Sequence, residues 1–349
     1  MRRRGHRVIQ WATGSVGRHA IPAIAEDPAL ELVGVWVHSP AKVGRDAGEL
    51  AGIGPLGVRA TNDVDALLRL DADCVLYAPL LANLDEMVRI LESGKNVVTP
   101  TGFVYLKDPV VLARLGDACR RGGVSFHGTG IHPGLVGDRL PLVLSALCRR
   151  IDRIRVFEIC DFSHLSESPE MVFGQLGFGM PAEEARRNPP ALLGVMSRIF
   201  GESMQMIAAG LGFEIDELRT THEFAVATDE VRGHAGVIPK GHVAGWHFEY
   251  VAIARGKRAI EFQTYWRMSE QIEPRWPYDA VLEYVVEIDG EPPLRCSLGS
   301  IAKGDSPEFG LLWTAMNCVN AIAPVCEVAP GIRTSLDLPL LTARGRMNL

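Results

Sequence analysis

Residues 12–17, Ala-Thr-Gly-Ser-Val-Gly, follow the apolar run VIQW and precede a helical pattern. Ala12, Gly14 and Gly17 stand at the positions of a G-x-G-x-x-G fingerprint, with Ala at the first. In a strand-to-helix turn of this spacing the backbone of Thr13, Gly14, Ser15, Val16 and Gly17 is expected to grip a pyrophosphate, because the first N–H groups of a helix have no internal partner. A tight turn without a ligand is the alternative. About 20 residues beyond such glycines a carboxylate normally takes the ribose 2′-hydroxyl. Here His38, Ser39 and Pro40 occupy that place, followed by Lys42 and Arg45. A hydroxyl and two cations suit a 2′-phosphate better than a bare ribose, so NADP(H) is expected over NAD(H). Otherwise Lys42 and Arg45 simply face solvent in a loop.

The turn works only if a parallel sheet holds it. From residue 7, β-rich runs (RVIQWA, LELVGVWVHS, ADCVLYAP, KNVVTP, GVSFHGTG) alternate with helical stretches at 16–26, 63–70, 83–93 and 108–121, with Asn83 and Asp108 as caps. This predicts a Rossmann-type α/β parallel-sheet domain over 1–146. From there IDRIRVFEICDF, HFEYVAIAR, RAIEFQTYWRM and DAVLEYVVEID read as longer strands, with Ala254-Arg255-Gly256-Lys257 as a hairpin turn and a Gly- and Met-rich helical or loop region over 170–215. The expectation is an α+β substrate domain over 147–304 with a mostly antiparallel sheet.

Composition narrows the function. The chain has 349 residues, 47% of them hydrophobic, and a net charge of −6 with Lys and Arg scattered, which argues against nucleic acid. Charged residues, Gly or Pro interrupt every apolar stretch before about 18 residues, so a soluble protein with no membrane partner is expected. MRRRGHR reads as a solvated tail rather than an export signal. Seven widely spaced cysteines without a Cys-x-x-Cys pair suit reduced thiols in a cytoplasm and no metal site.

Three stretches, AGELAGIGPLGVRATNDVDALL (47–68), GKNVVTPTGF (94–103) and Tyr77-Ala78-Pro79, resemble the nucleotide domain of dihydrodipicolinate reductases. GTGIHPGLVGDRLPL (128–142), EICDFSH (158–164) and WTAMNCVNAIAPVCEVAPGI (313–332) are similar to 2,4-diaminopentanoate dehydrogenase and the related NAD(P)-dependent amine dehydrogenases. The resemblance implies that Ala78, Pro79, Thr99, Thr101, Gly102, Ile131 and His132 line the nicotinamide, with His132 where the amine dehydrogenases commonly carry Asn. It also implies that 305–349 returns to the first domain as a helix and tail, and that the protein is a homodimer.

In the amine dehydrogenases a glutamate soon after the GKNVV strand handles the proton; aligned on Asn96-Val97-Val98 it falls at Gly102 or Phe103, neither of which carries one. The reductase's His-rich loop would fall near Cys160 to Pro169 and is missing, which argues against dihydrodipicolinate as substrate. Tyr105, Glu158, Asp161 and His164 remain as proton-handling candidates, each with a structural role as the alternative. Alternation sends Glu158 and Asp161 to opposite strand faces. Tyr265, Trp266, Trp276, His242, Trp246 and His247 jointly suggest an apolar pocket, which favours a small ketone, aldehyde, imine or amine over a diacid. The function expected is an NADP(H)-dependent oxidoreductase acting on C=N or C–NH2 in the amine dehydrogenase manner. An ammonia-independent carbonyl reductase, or a non-catalytic NADP(H)- and ligand-binding protein, stays open.

Overall fold

A computed structural model describes residues 5–165, 169–190, 192–302 and 306–347, and leaves the side chain of His164 undescribed. Two compact units are present: Met1–Leu135 with Leu311–Leu349, and Val136–Gly310.

The first unit alternates β1 (His6–Trp11), α1 (Ser15–Glu26), β2 (Leu30–Trp36), α2 (Ala47–Ala51), β3 (Ala60–Thr61), α3 (Val64–Leu68), β4 (Cys74–Tyr77), α4 (Leu84–Glu92), β5 (Asn96–Thr99), α5 (Pro109–Gly122) and β6 (Ser125–Gly128). The caps act as the sequence suggests: Asn83 Oδ1 accepts from the amides of Asp85 and Glu86, and Asp108 Oδ1 from those of Val110 and Val111. Each such cap stabilises its helix by about 1 kcal/mol. Helix α2 has no counterpart in the sequence reading. It is a single short turn set by its cap, Asp46, rather than by apolar periodicity.

The second unit carries helices α6 (Arg139–Ser145), α7 (Ala182–Arg187) and α8 (Leu192–Leu211) with strands β7 (Arg150–Asp161), β8 (Glu217–Ala227), β9 (Val231–Gly233), β10 (Gly236–Ile238), β11 (Val243–Ala254), β12 (Lys257–Arg267), β13 (Ile272–Glu273), β14 (Leu282–Glu291) and β15 (Leu294–Gly299). Seven of them form one sheet in the order β13-β8-β11-β12-β7-β14-β15. Only β12 and β7 pair in parallel there; the other pairs are antiparallel. The β11–β12 hairpin turns through Arg255 (φ 52°) and Gly256 (φ 72°), two left-handed residues whose twist matches the strands. Phe200 of α8 packs edge-on against Tyr250 and Phe262, so α8 covers the sheet face that carries residues 248, 250, 262 and 264.

The chain ends with α9 (Glu308–Glu327) and β16 (Gly331–Arg333). Strand β16 joins the first sheet, whose order is β16-β6-β5-β4-β1-β2-β3 and whose pairs are all parallel. Alternation divides that sheet's side chains between two layers. Ile9, Trp11, Val75, Tyr77, Val97 and Phe126 pack against α3, α4 and α5, whereas Val8, Cys74, Leu76 and Val98 pack against α1 and α9. Helix α9 corrects the expectation that every apolar stretch is too short to cross a membrane. Gly310 and Pro324 do not break it, and by length and composition it qualifies. In the fold Ala315, Cys318, Ala321, Ile322 and Val325 on it are buried in the sheet's core.

Candidate functional site

The fingerprint turn sits at the carboxyl end of β1, beside β4, where the strand order reverses, the place at which open α/β sheets hold ligands. Its three positions do three separate things. Ala12 takes φ 75°, the left-handed conformation that a glycine usually fills. Gly14 caps α1 with nothing within 4 Å of where a Cβ would stand, so its backbone is open to close approach. At Gly17 a Cβ would lie 2.2 Å from the Ala12 carbonyl oxygen, so only glycine lets helix and strand pack this tightly. No side chain caps α1 and its first turn holds no acidic residue, which leaves its amides to an anion.

Positive charge converges on the same turn. Lys42 Nζ donates to Thr13 Oγ1 at 3.2 Å and to the Thr13 carbonyl at 3.3 Å. Burial, and then the charges of Arg18 and Arg45, push the Lys42 ammonium below its ordinary pKa. A dianion placed there would relieve the mutual repulsion of these three cations. Arg18 escaped the sequence reading; its signal was its place directly after Gly17. His38 is exposed, 6.1 Å from the Trp36 ring, which stacks on Trp11 at 5.1 Å, and Ser39 precedes the short 3-10 turn that carries Lys42. Asp46 is not available to a ribose. Its carboxylate accepts from the amides of Gly48, Leu56 and Gly57, which hold its pKa below the usual range. These residues fit a pyridine dinucleotide.

Further along the sheet edge, β4 runs out into Ala78 and Pro79, followed by the exposed Leu80 and Leu81. Thr99 is buried at the end of β5, with its hydroxyl 2.8 Å from that of Thr101. Gly102 and Phe103 both take positive φ (95° and 62°), and a Cβ on Gly128 would lie 2.3 Å from the Gly102 carbonyl oxygen. Ile131 is buried and His132 half-buried in the loop after β6, where the His132–Pro133 bond is cis. Tyr105 is half-buried on the loop after β5, and Lys107 Nζ stands 5.3 Å from its ring centre.

The other proton-handling candidates belong to the second unit. Glu158 stands between Thr264 and Tyr284 in register, on the face that α8 covers. Burial, and then the charge of Glu158, raise the pKa of the Tyr250 and Tyr284 phenols. Asp161 points to the opposite face, as alternation requires. There it is buried, 3.1 Å from Arg267 Nε, and it accepts from the amide and hydroxyl of Ser163. The backbone of His164 closes the turn that Asp161 caps; its side chain lies outside what is described.

The aromatic residues do not form the single pocket expected of them. Trp246 and Trp266 are cross-strand partners within a buried cluster containing Phe162, Phe224 and Phe248. Tyr265 instead stacks on His247 at 4.2 Å and meets Trp276 and Tyr278. Consecutive residues 265 and 266 point to opposite faces, so no one cavity takes both.

Comparison with known proteins agrees with this architecture. Residues 8–121 match the family model of the dihydrodipicolinate reductase N-terminus, and residues 135–347 that of the 2,4-diaminopentanoate dehydrogenase C-terminal domain. An amine dehydrogenase of Streptomyces virginiae is 34% identical, covering 97% of this chain and 98% of its own. The 2,4-diaminopentanoate dehydrogenase of Acetoanaerobium sticklandii is 26% identical over 96% of this chain and 93% of its own. The solved amine dehydrogenase of Mycobacterium smegmatis shares the fold, with a TM-score of 0.78, 24% identity and 97% of each chain covered.

Proposed function

The chain belongs to the 2,4-diaminopentanoate dehydrogenase family, and from that premise we propose that it is an NADP(H)-dependent oxidoreductase acting on the C=N or C–NH2 bond of a small, largely apolar substrate. The carrying observation is the division of labour in the turn: Gly14 open to approach, Gly17 with no room for a Cβ, and Lys42 on Thr13 within the field of Arg18 and Arg45. Thr13 to Gly17 would hold the pyrophosphate. Ser39, Lys42 and Arg45, with Arg18, would hold a 2′-phosphate, and His38 would face the adenosine end. Ala78, Pro79, Thr99, Thr101, Gly102, Ile131 and His132 would line the nicotinamide, which when bound donates or accepts a hydride.

The proton is this chain's own task. Asp161 is committed to Arg267 and Ser163. Tyr105 lies on the same loop as Thr101 and Gly102, and its hydroxyl would donate to a carbonyl or imine. Glu158, on the other face of β7, would be the second proton carrier. Exposed Leu80 and Leu81 after Pro79 support an apolar substrate. A homodimer would form through the second sheet, as the family resemblance implies, and the seven free thiols support a reducing, cytoplasmic setting.

A second reading, carbonyl reduction without ammonia, is favoured by Gly102 and Phe103: both take left-handed backbone, and neither carries a carboxyl. NADPH oxidation followed with a panel of ketones and aldehydes, with and without ammonium, separates the two. Turnover that requires ammonium supports amine chemistry, and turnover indifferent to it supports carbonyl reduction. Tight NADPH binding with no turnover overturns both.

A further inference from the structure

At the amino ends of β1, β4 and β5, the sheet edge away from the glycine turn, Cys326 of α9 meets three side chains. Its sulfur packs against the core cluster that contains Cys74, and the Cys74 thiol and the His6 imidazole are near enough to shift its ionisation. Asn96, the register partner of Cys74, donates Nδ2 to the same sulfur at 3.6 Å. Glu327 lies 3.9 Å from His6 Nε2, and the Asp73 carbonyl lies 3.9 Å from Cys326 Sγ. Cys326 is partly exposed and Cys74 is fully buried.

We propose that Cys326 and Cys74 form a peroxide-reactive dithiol site, with Cys326 as the attacking and Cys74 as the resolving sulfur. The assignment rests on the cluster: Asn96 donates to one accessible sulfur, its register partner Cys74 lies in the core that this sulfur packs on, and His6 stands beside the neighbouring Glu327. Electrostatics agree. The neighbouring Cys74 and His6 outweigh burial and the charge of Asp73, and lower the Cys326 thiol to about 6. The Cys326 contact and burial raise Cys74, which therefore keeps its proton. The His6 imidazole is raised by Cys326, so cation and thiolate favour one another.

The chemistry balances with hydrogen peroxide as the oxidant. The Cys326 thiolate attacks one peroxide oxygen; an S–O bond forms, the O–O bond breaks, and the leaving hydroxide takes a proton from solvent as water. The Cys74 sulfur then displaces the hydroxyl of that sulfenic acid, the S–S bond forms, and the second water carries off the Cys74 proton. Two electrons pass from the thiols to the peroxide. The product would tie the end of α9 to the start of β4.

The test uses the full chain, treated with hydrogen peroxide, blocked with N-ethylmaleimide and digested without reductant. The expected result is a 74–326 linked peptide that dithiothreitol releases, and in Cys74→Ser a dimedone adduct confined to Cys326. On the untreated protein, iodoacetamide alkylation of Cys326 should reach half its maximum near pH 6. Cys148 and Cys296, also partly exposed, serve as internal controls. His6→Gln should move the Cys326 midpoint upward. The proposal is overturned if Cys326 follows the same pH profile as the controls, or if peroxide produces no 74–326 link in the wild-type chain.

Discussion

Lys42 Nζ stands 3.2 Å from Thr13 Oγ1, so a cation from the loop after β2 is tied to the centre of the glycine turn. If that cation reads a 2′-phosphate, Lys42→Ala removes a charge-assisted contact worth about 1.5–3 kcal/mol, or roughly 10- to 150-fold in the NADPH dissociation constant. NADH should lose no more than about threefold. Titration calorimetry with both nucleotides decides it. An equal loss for both would place Lys42 on the pyrophosphate alone.

The same group sets a pH dependence. Burial and two neighbouring cations hold free Lys42 below its ordinary pKa, and a phosphate would raise it again. Binding therefore takes up a proton between the free and bound values. Affinity is complete below the free pKa and falls as pH climbs through it. Measured from about pH 7 upward, where a phosphate monoester is a dianion, NADPH affinity should decline more steeply than NADH affinity. In Lys42→Ala the two slopes should coincide.

The glycine turn separates packing from binding. Gly17→Ala forces a Cβ to within 2.2 Å of the Ala12 oxygen, and we expect a loss of about 2–4 kcal/mol in stability, read by urea unfolding. Gly14→Ala meets nothing and has ordinary φ, so stability should stay within about 0.5 kcal/mol while nucleotide affinity falls. Ala12→Gly relieves a left-handed alanine, a strain of about 1–2 kcal/mol, against about 0.4–1 kcal/mol of added chain entropy in the unfolded state. A small net gain in melting temperature is expected.

Asp161 and Arg267 form a buried pair that supports the second sheet. Asp161→Asn leaves the buried Arg267 cation with only the exposed Glu270, 3.7 Å away, as a counter-charge and should cost about 3 kcal/mol. Joint replacement with Arg267→Met should recover a large part. A stable Asp161→Asn with a shifted pH–rate profile would contradict this structural reading.

Glu158→Gln and Tyr105→Phe test the proton assignment. Each should keep the fold, judged by circular dichroism and melting. Loss of a general acid or base lowers turnover by about 10²- to 10⁴-fold and removes one limb of the pH–rate profile. An unchanged profile in either variant takes that residue out of the reaction.

Much of the first unit was legible because its signals are local. Apolar alternation marks β1 and β4, Asn83 and Asp108 sit where caps must sit, and Arg255-Gly256 supplies the left-handed pair a hairpin needs. Each depends on the φ, ψ and hydrogen bonds of a few consecutive residues. Asp46 shows where local reading ends. It stands beside the cations of the expected phosphate site, yet its carboxylate is saturated by amides from the loop that folds back at Leu56 and Gly57.

The sequence by itself determined the parallel layout, the turn that faces a dinucleotide and the opposite faces of Glu158 and Asp161, because strand and helix periods dictate them. Only the tertiary structure decided the partners. Arg267 reaches Asp161 from 106 residues away, Arg18 joins Lys42 and Arg45, β16 pairs with β6, and Cys326 arrives at Cys74 on a helix from the far end of the chain. The reason is physical: charge and thiol chemistry depend on distances of a few ångströms, and those are set when the sheet and its helices close, not by spacing along the chain.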